Sequence, residues 1–309
     1  MPYQSDKDNP IKMVIKDYKI GFIGLGRMGR EILPKINDRY RVHFVYNRSP
    51  EKYRYIDKLD TETAESPEEI SKNCNLIFLS LTDTEAVKSV IFGKSGLISN
   101  LRGGTVIIDM STISHKGSTE INEEIVKSGA HYMDCPVIGS VAAARNSSLT
   151  MVCGGDKSIL EGLKPVFSTF CSKIFLMGPH GNGLKMKLIN NIVMGLNMIS
   201  AAIGVSLGGS AGFSPETVSE ILLSGGASSK ILDLKRDKIV RGDFSPEFSL
   251  EHQLKDIRYG IELMNNFALE LKLVEDAENL FASACTEGFC SLDESAIYQY
   301  LRRLASVER

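Results

Sequence analysis

The sequence predicts a doubly wound α/β sheet followed by an all-α C-terminal domain built on one long helix between the domains. From residue 19 to residue 177, short β-branched runs alternate with helical stretches, which is typical of a parallel sheet covered by helices on both faces. A Gly/Pro-rich cluster follows at 178–183, and from Leu184 to the end the periodicity is helical. This cluster is the predicted domain boundary.

The predicted strands are seven β-rich runs: residues 19–24, 41–47, 75–81, 105–109, 131–137, 149–154 and 173–177. The helical patterns begin at Met28, Ser66, Thr84, Ser114, Asp156, Ser214 and Leu292. Ser66-Pro67 is a clear start, because a serine hydroxyl accepts a free N–H and proline suits the first helical position.

Size and composition limit the organisation and the partners. A chain of 309 residues with 43% hydrophobic residues can bury two cores. We predict an N-terminal extension at 1–16, a sheet domain at 17–180 and a helical domain at 181–309. The 36 basic residues nearly balance the 38 acidic ones, so charge favours a small-molecule partner over nucleic acid or anionic lipid.

The six cysteines show no CxxC pattern, and the five histidines show no HxH or HExxH spacing. We therefore expect neither a metal site nor a disulfide framework, but buried thiols in a reducing compartment. The N-terminus has scattered charges and no apolar segment of signal-peptide length, which favours a cytoplasmic location.

One segment, Leu184 to Phe213, is apolar and long enough to span a bilayer. It also carries Lys185, Lys187 and three asparagines, and charged groups at membrane depth are costly. We therefore expect a buried core helix of a soluble protein.

A glycine-rich turn follows the first predicted strand and opens a helix. In this context a GxGxxG pattern predicts dinucleotide binding, since bare backbone lets a diphosphate approach the N–H groups of the helix N-terminus. The predicted cofactor-binding residues here are Gly24, Leu25, Gly26, Arg27, Met28 and Gly29.

The second strand ends at Asn47, Arg48 and Ser49, where NAD-binding proteins usually place a carboxylate for the ribose hydroxyls. The Arg48 guanidinium, supported by the Ser49 hydroxyl, can instead pair with a 2′-phosphate. NADP(H) is therefore the preferred cofactor. The alternative is that Arg48 is a solvated loop charge and the cofactor is NAD(H).

Lys187 and Asn191 are four residues apart on the long helix, so they share a face. A lysine whose charged form is disfavoured by burial and by positive neighbours can serve as a proton donor or acceptor in hydride transfer. The alternative for an isolated lysine on an apolar helix is a side chain whose stem packs while its ammonium reaches water.

Five ordered motifs lie between residue 19 and Ala296: GFIGLGRMG at 21–29, DMST at 109–112, DCPVIGS at 134–140, the GNG segment leading to Lys187 and Asn190-Asn191, and Lys255-Asp256. Together they resemble the β-hydroxyacid dehydrogenase family, which includes 3-hydroxyisobutyrate dehydrogenase, tartronate semialdehyde reductase, and glyoxylate and succinic semialdehyde reductases. The resemblance implies a Rossmann-type first domain and an NAD(P)-dependent oxidoreductase.

The resemblance also implies residue roles. Lys187 would be the general acid/base, with Asn191 holding the lysine or the substrate hydroxyl, and Lys255 would close over cofactor and substrate. The substrate carboxylate would bind at Ser111 and at the turn formed by Ile138, Gly139 and Ser140. The remaining cofactor contacts would come from Leu81, Thr82 and Thr112.

The chain also departs from the family pattern. The turn Ile138-Gly139-Ser140 stands where Ser-Gly-Gly is common, and His115 and Thr82 stand at frequent proline positions. These differences weaken any transfer of substrate identity but leave the proposed chemistry intact. A loop histidine, His180, is expected to be solvated, and Cys135 is expected to pack without reacting.

Two other enzymes and one non-enzyme remain alternatives. A 6-phosphogluconate-type oxidative decarboxylase would resemble Lys-x-x-His-Asn, but here Asn190 stands at the histidine position. An imine reductase would lack the lysine. A non-catalytic ligand-binding protein on the same fold would tend to lose it, so retention of Lys187 favours an enzyme. The long helix and the apolar stretches after it predict a homodimer or homotetramer.

Overall fold

The computed structural model describes residues 18–307, so the predicted N-terminal extension lies outside the described part of the chain. The structure divides into two compact units, one ending at Lys187 and the other beginning at Leu188. The division therefore lies inside the long helix, slightly later than the Gly/Pro cluster, because the first turn of that helix is bonded to the first unit.

A six-stranded parallel sheet forms the centre of the first unit, in the order β3-β2-β1-β4-β5-β6. The strands are β1 (Ile20–Ile23), β2 (Val42–Tyr46), β3 (Glu62–Thr63), β4 (Leu76–Leu79), β5 (Val106–Asp109) and β6 (His131–Asp134). Every residue of β1, β4 and β5 is buried, as expected for strands covered on both faces. The short edge strand β3 was not predicted.

The helices that cover this unit begin close to their predicted starts, except for the short fifth helix, which was not predicted. They are α1 (Gly29–Asn37), α2 (Pro67–Asn73), α3 (Thr84–Phe92), α4 (His115–Lys127), α5 (Val141–Arg145) and α6 (Lys157–Phe167), with 3-10 turns at Pro50–Tyr55 and Leu97–Asn100. The Ser66 and Ser114 hydroxyls accept N–H groups at the starts of α2 and α4. The parallel, doubly wound fold class is thus confirmed.

The later strands correct the expectation of one continuous sheet. The strands β7 (Val137–Ile138), β8 (Leu149–Cys153) and β9 (Cys171–Leu176) form a separate three-stranded sheet, antiparallel between β7 and β8. The predicted run at 131–137 is therefore two strands in different sheets. Pro136 lies between them and has no N–H to continue a ladder.

The second unit is helical, as predicted, and α7 extends from the first unit into it. Its elements are α7 (Asn182–Ser210), α8 (Pro215–Ser224), α9 (Lys230–Arg241), α10 (Leu250–Asn265), α11 (Lys272–Ala284) and α12 (Ile297–Val307), with a 3-10 turn at Glu294–Ala296. Its core includes Met198, Leu232, Ile257, Phe281 and Ile297.

The long helix α7 is buried along one side only, which corrects the prediction of a fully buried core helix. Met198, Ala202 and Val205 are buried, whereas Val193 and Leu207 are 51% and 69% exposed. By length and composition alone, α7 is long and apolar enough to cross a membrane. The exposed apolar side therefore needs an explanation.

The cysteines differ from the expectation of six buried thiols. Cys74, Cys135, Cys153 and Cys171 are buried and free, so packing is confirmed for Cys135. Cys285 and Cys290 are half-buried and form a disulfide across a π-helical turn at Cys285–Phe289. The expectation was wrong for this pair, because the turn brings together two side chains whose spacing matches no common motif.

Candidate active site

The glycine turn joins β1 to α1 through two close backbone approaches. A side chain at Gly24, whose φ is +107°, would place a Cβ 2.2 Å from the Ser80 carbonyl oxygen, and one at Gly29 would lie 2.0 Å from the Gly24 carbonyl oxygen. These two glycines are therefore needed by the fold itself.

Gly26 differs from its neighbours because no atom lies within 4 Å of the place where its Cβ would stand. The N-cap residue of α1 is Met28, close to Gly26 in the chain, and it makes no side-chain capping hydrogen bond. Bare backbone beside an uncapped helix N-terminus fits a diphosphate, so this turn is suited to a pyridine dinucleotide. Leu25 is buried and Arg27 is exposed.

Asn47 holds the glycine turn in place. Its Oδ1 accepts a hydrogen bond from the Leu25 N–H at 2.8 Å, and its Nδ2 donates to the Ser49 carbonyl oxygen at 2.9 Å. Asn47 is buried and both ends of its carboxamide are hydrogen-bonded, so it stabilises the glycine turn. Arg48, next in the chain, is exposed and precedes the 3-10 turn at Pro50–Tyr55.

Ser111 joins the carboxyl ends of β4 and β5. Its hydroxyl accepts from the Leu81 N–H at 2.9 Å, and its own N–H donates to Oδ1 of Asp109 at 2.8 Å. Ser111 is 3% exposed. Thr112 is half-buried, and Thr82 is exposed, with its hydroxyl donating to Asp83. Of the predicted Ser111-Thr112 pair, the threonine is the more accessible.

Asp109 belongs to the DMST motif, but the sequence did not predict its structural role, which is to accept hydrogen bonds from Ser111 and Tyr132. Its Oδ2 accepts from the Tyr132 hydroxyl at 2.6 Å, and both residues are buried. Burial raises the pKa of Asp109 to about 6, against the opposing effect of its hydrogen bonds from Ser111 and Tyr132.

The predicted carboxylate turn lies between β7 and α5. Gly139 has a φ of +138° and is exposed, so its backbone is accessible. The Ser140 hydroxyl accepts from the Ala143 N–H at 3.2 Å and caps α5. Ile138 is half-buried. The turn therefore offers the exposed backbone of Gly139 to a ligand, whereas the oxygen of the Ser140 hydroxyl is already engaged in capping α5.

The N-terminus of α7 is held by a carboxylate from a distant strand. Oδ1 of Asp134 accepts from the Gly181 N–H and Oδ2 from the Leu184 N–H, each at 2.7 Å. Lys187 follows in the same helix and is half-buried. The motif containing Asp134 was visible in the sequence, but its capping of a helix 47 residues later was not.

In the second unit, Asn191 and Lys255 meet on Asp256. The Asn191 Nδ2 donates to Oδ2 of Asp256 at 2.6 Å, and the Lys255 ammonium lies 2.7 Å from Oδ1. The Lys255 ammonium also lies 4.9 Å from the centre of the Tyr259 ring. Asp256 is 2% exposed, and its carboxylate binds the side chains of both Asn191 and Lys255, so it positions both of them.

Comparison with known proteins agrees with this geometry. Residues 19–178 match the family model described as the NAD-binding domain of 6-phosphogluconate dehydrogenase, and residues 181–301 match that described as NAD-binding of NADP-dependent 3-hydroxyisobutyrate dehydrogenase. The chain is 32% identical to glyoxylate/succinic semialdehyde reductase 1 of Arabidopsis thaliana over 92% of its length and 98% of the relative.

Two further likenesses broaden the comparison. The chain is 31% identical to the cytokine-like nuclear factor N-PAC of Homo sapiens over 92% of its length, but it spans only 51% of that protein. The solved structure of Psf3 in complex with NADP+ and 2-OPP shares the fold, with a TM-score of 0.84 and 23% identity over 91% of this chain and 99% of that one. With the glycine turn, the lysine helix and these matches together, the chain belongs to the β-hydroxyacid dehydrogenase family.

Proposed function

We propose that this protein transfers a hydride between NADP(H) and a small β-hydroxy acid or the matching semialdehyde, with Lys187 as general acid/base. The observation that supports this most directly is the continuous helix α7, which carries Lys187 and, one turn later, the buried Asn191. Family membership supports the reaction class.

When bound, the dinucleotide would supply the hydride in reduction and accept it in oxidation, whereas the residues of this chain bind the reactants and transfer the proton. In reduction, the Lys187 ammonium donates a proton to the carbonyl oxygen of the substrate as charge develops there; in oxidation, the amine accepts the hydroxyl proton. Asn191 is fixed by Asp256, so it holds its place on the helix face with little freedom. Such fixed groups lower the cost of reaching the reactive geometry.

We propose that the substrate carboxylate binds at Ser111 and at the turn formed by Ile138, Gly139 and Ser140, with Thr112 beside the nicotinamide ribose. The Ser111 and Ser140 hydroxyl oxygens accept N–H groups within the fold, and each hydroxyl keeps its own proton to donate to a carboxylate. The exposed backbone at Gly139 adds to these donors, since backbone N–H groups bind anions well.

The preference for NADP(H) over NAD(H) is proposed from Arg48. It is exposed at the end of β2, beside an asparagine that is itself committed to the glycine turn. A guanidinium there pairs with a 2′-phosphate, whereas the absence of a carboxylate from 47–49 removes the usual partner of an unmodified ribose.

We further propose a cytoplasmic homo-oligomer in which a second copy covers α7. Four exposed apolar side chains share one side of this helix, since their spacings are near multiples of its 3.6-residue turn: Ile189, Val193, Ile203 and Leu207. A monomer leaves this stripe in water, and such stripes are typical of subunit contacts.

The decisive experiment assays the purified protein with a panel of small semialdehydes and hydroxy acids, each with NADPH or NADH and with NADP+ or NAD+. We expect turnover with at least one semialdehyde and faster turnover with NADPH. Nucleotide binding without turnover of any substrate would contradict the proposal and favour a non-catalytic binding protein.

A further inference from the structure

His180 lies in a buried polar cluster at the start of the lysine helix, in contrast to the solvated loop histidine that the sequence suggested. Its side chain is 16% exposed. We propose that His180 is a positioning residue for Lys187, acting through Asp134 on the first turn of α7. This inference rests on the proposed function, because it takes Lys187 as the acid/base.

The Asp134 carboxylate caps the N-terminus of α7. Its two oxygens accept from the Gly181 and Leu184 N–H groups, which are otherwise without a partner at a helix N-terminus. The carboxylate packs closely against the backbone of Gly154, since a Cβ added there would lie 2.4 Å from Oδ1. A shift of this carboxylate therefore shifts the helix turn that leads to Lys187.

The second step is the contact of His180 with that carboxylate. The imidazole Nδ1 lies 3.3 Å from Oδ1 of Asp134, while Nε2 lies 3.1 Å from the Ser118 hydroxyl and 3.3 Å from the Ser118 carbonyl oxygen. Within residues 18–307, Nδ1 has no regularly aligned hydrogen-bond partner, so Asp134 is the group that it faces. The imidazole thus bridges α4 and the carboxylate.

The third step concerns charge. Burial raises the pKa of Asp134, and His180 is the largest opposing influence, followed by the Gly181 and Leu184 N–H groups. An ionised carboxylate can accept both N–H groups and the imidazole, whereas a protonated one loses part of that capacity. His180 therefore favours the form of Asp134 that holds the helix.

Among residues 18–307, the other ionisable groups that interact with this pair or with its neighbour His115 come from four segments. They are Asp109 on β5, Tyr132 on β6 with Cys135 just after it, His115 on α4, and Lys185 on α7. The His115 ring covers Gly181, where an added Cβ would lie 2.7 Å from Nε2. Burial first, then Lys185 and His180, lowers the pKa of His115, so His115 favours its neutral form.

Three substitutions of His180 separate its two ring nitrogens. His180→Asn retains an amide donor near the Nδ1 position, His180→Gln retains one near Nε2, and His180→Val removes both. We expect His180→Val to lower kcat about tenfold by moving Lys187, with KM for NADPH unchanged. The acid limb of its kcat profile moves to higher pH, since Asp134 protonates more readily. We expect Asn to restore kcat and Gln not to restore it.

Amide hydrogen exchange at Gly181 and Leu184 provides a readout that needs no catalysis. We expect faster exchange at both amides in the valine variant than in the wild type or the asparagine variant. The proposal would be overturned if all three variants had the same kcat as the wild type and unchanged amide exchange. It would also be overturned if kcat and melting temperature fell together and the asparagine variant restored neither. Suppose that amide exchange at Gly181 and Leu184 changes as expected but Lys187→Ala retains full turnover. The proposed role of Lys187 would then be wrong, whereas the inference that His180 stabilises the first turn of α7 would stand.

Discussion

The carboxamide of Asn191 donates to the carboxylate of Asp256 at 2.6 Å, although the two residues are 65 positions apart in the chain. The same carboxylate lies 2.7 Å from the Lys255 ammonium. A buried acid thus fixes an amide that lies one helical turn after Lys187. The side of α7 that carries Lys187 and Asn191 is therefore fixed in position.

Lys187→Ala should reduce kcat for semialdehyde reduction by about 10²–10⁴-fold, because proton transfer to the developing alkoxide is lost. NADPH binding, followed by fluorescence titration, should change little. Lys185→Ala is the matched control, since Lys185 lies on the same helix and donates to Asn182. Comparable kcat values for the alanine variants at 185 and 187 would remove the proposed role.

Gly26→Ala should raise KM for NADPH and NADH alike while leaving the melting temperature unchanged. The added methyl group meets no protein atom, so its effect falls on the diphosphate that we expect there. Gly162→Ala, at another glycine with open space around it, serves as the control. An unaltered KM for both nucleotides in the Gly26 variant would place the diphosphate elsewhere.

Arg48→Ala should raise KM for NADPH by roughly 10- to 100-fold and leave KM for NADH nearly unchanged, because only the former carries a 2′-phosphate. Arg102→Ala, at an exposed residue before β5, controls for the loss of a surface charge. If the NADPH/NADH ratio of kcat/KM survives the Arg48 substitution, the proposed preference has another origin.

Glu294→Gln should stabilise the protein at alkaline pH. Burial raises the pKa of Glu294 from 4.5 to about 8. The folded protein therefore retains this proton where the unfolded chain has lost it, and stability falls as pH rises through this window, by roughly 1.4 kcal/mol per pKa unit at most. A glutamine has no such proton to lose.

Melting temperatures measured from about pH 5 to about pH 8 test this sign. The wild type should lose more stability across the range than the Glu294 variant, and the variant should melt higher at the alkaline end. Glu270→Gln, at an exposed glutamate, should behave like the wild type. Parallel curves for all three proteins would contradict the prediction.

Leu207→Glu should dissociate the proposed oligomer, because it places a charge in the stripe on α7 where a 69% exposed leucine now lies. Sedimentation velocity should show a smaller species than for the wild type. Val126→Glu, at an exposed valine on α4, should leave the size unchanged. A wild-type protein that sediments as a monomer contradicts the oligomer, and one that binds to lipid vesicles through α7 points to a membrane surface instead.

The sequence predicted the parts of the fold that depend on neighbouring residues. Short apolar runs, the helix starts at Ser66 and Ser114, and the glycine turn before α1 are local patterns whose physical basis lies within a few residues. The four-residue spacing of Lys187 and Asn191 is equally local. Family resemblance then supplied the expected roles.

Only the tertiary structure decided which distant groups meet. Asp134 caps α7 from 47 residues away, the half-buried His180 contacts it, β7 to β9 separate into a second sheet, and Cys285 bonds to Cys290. Except for the disulfide, whose closure depends on one irregular turn, these contacts join segments far apart in the chain. Helix and strand periodicity constrains each segment by itself, whereas a buried carboxylate finds its N–H partners only after the segments have packed together.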